Sequence, residues 1–109
     1  PTHVCEIREG TFRSYDITPE QFGFSCCESK DLLGGSPEEN ARITRDILNG
    51  KERGARRDVT VLNSALALYL GIDGCTVPDS IRLAQELIDS GKAAAKMEEF
   101  CRLTREAKQ

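Results

Sequence analysis

Tryptophan is absent, and histidine and methionine occur once each among 109 residues. With His3 as the only histidine, no Ser/His/Asp or Cys/His set has a second candidate base to draw on. His3 sits near the start of the chain, where a lone imidazole reads as a solvated side chain. The five cysteines (Cys5, Cys26, Cys27, Cys75 and Cys101) are odd in number and include no CxxC, which argues against a disulfide scaffold or a zinc site. Neighbouring cysteines such as Cys26 and Cys27 rarely both reach one tetrahedral metal, so the thiols read as reduced, small and partly buried. The longest apolar stretch, Val59 to Leu70, is interrupted by Thr60, Asn63 and Ser64 and falls short of the roughly 20 residues a bilayer span needs. No apolar leader region opens the chain. A net charge of −3 gives no bulk attraction for nucleic acid or an anionic membrane. These features predict a cytoplasmic protein with no nucleic-acid or membrane partner.

What is present suits one modest core: 39% hydrophobic and 30% charged residues over a single-domain length. Thr2 to Ile7 and Thr11 to Ile17 favour extended structure around the turn Arg8-Glu9-Gly10, which predicts a β-hairpin. Phe12 and Tyr15 on it read as packing. Thr18-Pro19-Glu20-Gln21 is a one-turn helix start with Thr18 as cap and Gln21 as its reciprocal partner. Ser25 to Gly35 reads as loop.

The stretch GGSPEENARITRDILNG, Gly34 to Gly50, raises the question of a phosphate cradle. Its glycines fit neither GxGxxG nor GxxxxGK[ST]. Glu38 and Glu39 would occupy the helix end where an anion must lie. A capped helix follows instead: Ser36 as N-cap, Pro37 in the first turn, Glu39 completing a capping box, and Ala41, Thr44, Ile47 and Leu48 on one face, with Gly50 ending it.

Lys51 to Arg57 (KERGARR) reads as a solvated basic connector. Asp58 is the predicted cap of a helix over Val59 to Leu70, ended by Gly71. That helix is apolar nearly all round, which predicts a buried central position and partners for Asn63 and Ser64. Thr76 and Asp79 start another helix with the stripe Ile81, Ala84, Leu87 and Ile88, broken at Gly91. A last helix covers about Lys92 to Ala107, with Met97, Phe100, Cys101 and Thr104 on one side. The expectation is an α+β chain: an N-terminal β-hairpin followed by about four helices. Its opening at Pro1 in the middle of alternating residues reads as a piece of something longer. Carboxylates are plentiful, but no pair stands apart from solvated helix faces.

Four strings add to this reading: ITPEQFG, LLGGSPEENARITRDILNG, RRDVTVLNSALAL and AQELIDSGKAAAKMEEF, collinear and preceded by THVCEI. Together they resemble the C-terminal segment of the anthranilate phosphoribosyltransferases over nearly all 109 residues. The resemblance implies residues 1–109 as a single partial domain, the C-terminal part of a nucleoside phosphorylase/phosphoribosyltransferase-type α/β domain. It implies a complete enzyme that transfers phosphoribosyl from PRPP to anthranilate in tryptophan synthesis, with Mg²⁺, usually as a homodimer. The family's GTGGD-like loop, KHGN-like stretch and Asp-Glu metal pair do not occur in this sequence. No catalytic, cofactor-binding or metal-binding residue is therefore carried over, and the piece alone is expected to be inactive and prone to self-association. The alternatives held beside this are a non-catalytic binding or regulatory module that keeps the helical tail, and a purely structural domain.

Overall fold

The computed structural model describes residues 1–108. Two strands, β1 (Thr2–Arg8) and β2 (Thr11–Ile17), pair antiparallel from Thr2 opposite Ile17 to Arg8 opposite Thr11. The turn is the two residues Glu9 and Gly10, tighter than expected, with β1 running on through Arg8. Both turn residues have positive φ, 50° and 77°, the geometry that matches the twist of the flanking strands. Glycine accepts that conformation freely, whereas Glu9 holds it at a steric cost. One turn of 3₁₀-helix follows, Pro19–Phe22, with the expected box between Thr18 and Gln21. A second, Ser29–Leu32, lies within the stretch expected to be loop, boxed by Glu28 and Asp31.

Four helices complete the chain: α1 (Pro37–Leu48), α2 (Ala55–Gly71), α3 (Val77–Asp89) and α4 (Lys92–Ala107). Ser36 and Thr76 cap α1 and α3, each hydroxyl accepting from the backbone N–H three residues on. The second half of the expected Glu39 box gives way to another contact. Asn40 instead folds back on Gly35, accepting from its N–H at 2.8 Å and donating to its carbonyl at 3.2 Å. On α1, Ile47 is buried and Ile43 half-buried, while Ala41 and Thr44 stay exposed, so the buried stripe is rotated from the one expected. On α4 the expected side is mostly open: Met97 and Cys101 are half-buried, but Phe100 and Thr104 are exposed.

The largest departure is at α2. It starts at Ala55, four residues early, so Asp58 lies in its first turn and Gly54 stands at the cap. KERGARR is therefore not one solvated connector. Arg57 is buried, with Nη2 3.1 Å from Asp89 on α3, and Arg56 donates to the Leu33 carbonyl at 2.8 Å. Nor is α2 buried all round. Val61 and Ala65 are sealed, while Leu70 is 79% exposed and Asn63 and Ser64 face solvent without needing buried partners. The core is the α2–α3 seam, where Val61 and Ala65 meet Ile81, Ala84 and Ile88, with Phe22, Phe24, Leu48 and Ala93 packed around. Ser80 is fully buried in α3, with its hydroxyl donating to the Thr76 carbonyl at 3.0 Å. Among the described residues no helix is long and apolar enough to cross a membrane.

Candidate functional site

The pleat of the hairpin directs Val4, Glu6 and Arg8 of β1 and Arg13, Tyr15 and Ile17 of β2 toward one face. Tyr69, near the end of α2, reaches that face. Glu6 stands between the layers with its side chain only 12% exposed. Its Oε1 accepts from the Tyr15 hydroxyl at 2.8 Å, and its Oε2 from the Tyr69 hydroxyl at 2.7 Å. Arg13 lies 3.4 Å and Arg8 3.6 Å from the same carboxylate. Each arginine also lies over a tyrosine ring, Arg8 at 5.1 Å from Tyr69 and Arg13 at 4.7 Å from Tyr15, so the charges and rings form a closed set.

The hydrogen bond from Tyr69, then that from Tyr15, then the arginine charge hold the Glu6 carboxyl below the ordinary value of 4.5. The reciprocal effect raises both phenols above 10.0, through the hydrogen bond to Glu6 first and burial second. The sign follows for each group. A lowered carboxyl stabilises the folded chain above about pH 4.5 and loses that contribution as pH falls through its lowered value. Raised phenols stabilise it below about pH 10 and lose that as pH rises through theirs. Both tyrosines of the sequence touch Glu6, so phenolate absorbance reads this site alone. Glu6→Gln is expected to bring both tyrosine titrations back toward pH 10, followed by ultraviolet absorbance. Titrations unmoved by the substitution would mean the carboxylate is not what holds the phenols.

A carboxylate with both oxygens engaged and its proton affinity lowered is a poor general base at neutral pH. Its effect is to join hairpin and helices. Among the described residues, no group of three or more His, Cys, Asp and Glu side chains is placed to hold a metal ion. His3 lies on the outer hairpin face, its Nδ1 2.7 Å from Asp16. The amide of Gly35, which a phosphate cradle would offer to an anion, is taken by Asn40, and a Cβ on Gly35 would collide with the Glu39 carboxylate. An apolar cleft of about 180 Å³ between Phe24 and the start of α2 is lined in part by Cys26, Cys27, Asp58 and Leu62. The Glu6–Tyr15–Tyr69 set was missed in the sequence. The hairpin register implies that Glu6 and Tyr15 share a face, but nothing near Glu6 points to a partner 63 positions on.

A family model described as the glycosyl transferase family, a/b domain, matches residues 1–94. A protein named anthranilate phosphoribosyltransferase from Methanobrevibacter smithii is 48% identical over 103 residues, covering 94% of this chain and 30% of that protein. One of the same name from Endomicrobium trichonymphae is 48% identical over 105 residues, 96% of this chain and 31% of its own length. A third, from Ruminiclostridium cellulolyticum, is 47% identical over 103 residues. The chain thus spans about 30% of the length of the curated relatives it matches. The hairpin followed by four helices is a mixed α+β arrangement that fits a piece of that family's α/β domain. With residues 1–94 matched, the chain belongs to the glycosyl transferase family through its a/b domain.

Proposed function

We propose that this chain is the closing segment of the catalytic domain of an anthranilate phosphoribosyltransferase, the enzyme that moves phosphoribosyl from PRPP to the amine of anthranilate. Residues 1–109 would form a single partial domain whose part is structural. The observation that carries this is a match at 47–48% identity running through 94–96% of the chain while spanning about 30% of proteins bearing that name. The geometry of Glu6 supports the structural part, since its carboxylate is consumed by the hairpin–helix join. In this reading PRPP, anthranilate and Mg²⁺ would be held by residues outside this sequence. The complete enzyme would be a cytoplasmic homodimer.

A chimera tests it. The matching tail of the M. smithii relative is replaced by residues 1–109, and anthranilate consumption is followed with PRPP and Mg²⁺. The expected outcome is turnover by the chimera and none by the 109-residue chain. Activity in the chain alone would overturn the structural role. A soluble, folded chimera without turnover would overturn the assignment to this enzyme.

A further inference from the structure

We draw no further inference here: the strongest candidate, the apolar cleft of about 180 Å³ between Phe24 and the start of α2 with Cys26 and Cys27 in its lining, is an unpartnered face of a chain that spans about 30% of its relatives' length, and nothing in the structure shows what covers it.

Discussion

Truncating Ile88 to alanine is expected to lower the unfolding free energy by about 3 kcal/mol. Ile88 is 6% exposed on α3 and packs in the seam with Val61 and Ala65. Removing its branched side chain loses the transfer free energy of the buried methylenes and leaves a space that two helices already in contact close only in part. Alanine's better helix propensity returns about half a kcal/mol, too little to offset the loss. A domain of this size is stable by about 5–15 kcal/mol, so the change is visible as a lower urea midpoint with unchanged slope. Leu103→Ala on α4 is the control. That side chain is 48% exposed, and the expected change is within about 0.5 kcal/mol. Equal losses at the two positions would mean that the α2–α3 seam is not the core.

The second large effect is expected at Asp89, and its order is the informative part. The Arg57 guanidinium is buried, its Nη2 3.1 and 3.3 Å from the two Asp89 oxygens, while its Nη1 has no protein partner. Asp89→Ala leaves a buried cation without its counter-charge, a loss that reaches about 3–5 kcal/mol for a fully buried pair. Asp89 is 48% exposed, so water still reaches one side and the expected loss is about 2 kcal/mol. Arg57→Met keeps the apolar stem and removes both the charge and the unpaired Nη1. It is expected to lose less, about 1 kcal/mol. Urea unfolding of the two variants gives the order directly. A reversed order would mean that the arginine's stem, not its pairing, is what the site needs.

The parts of the fold that were legible in the sequence are those with local causes. Ser36-Pro37 and Thr76 fix the starts of α1 and α3 because the cap and its bond lie within four residues. The hairpin is legible for the same reason, from alternation and a turn glycine. The start of α2 was not. Gly54 carries no capping side chain, and the basic run that looks solvated becomes helical because Arg57 finds Asp89, 32 residues away. The extent of burial failed on similar grounds. Apolar residues round all of α2 state that the helix tolerates burial, but which sides are covered depends on what packs there, and here α3 covers one. Glu6 was passed over because its meaning lies in Tyr69, a partner the chain's order does not reveal. The family strings were legible because they are collinear, and the match over residues 1–94 bears them out.

The α2–α3 seam has a consequence for how this sequence can drift. Ala65 and Ser80 are sealed completely and Ala84 is 3% exposed, so the two helices meet over residues without bulk. An added methylene there has no room and costs about 1–3 kcal/mol, a large share of a small domain's stability. Substitution at these positions is filtered by volume. Over many generations those three positions would admit only side chains of nearly the same size, whatever changes elsewhere in the chain.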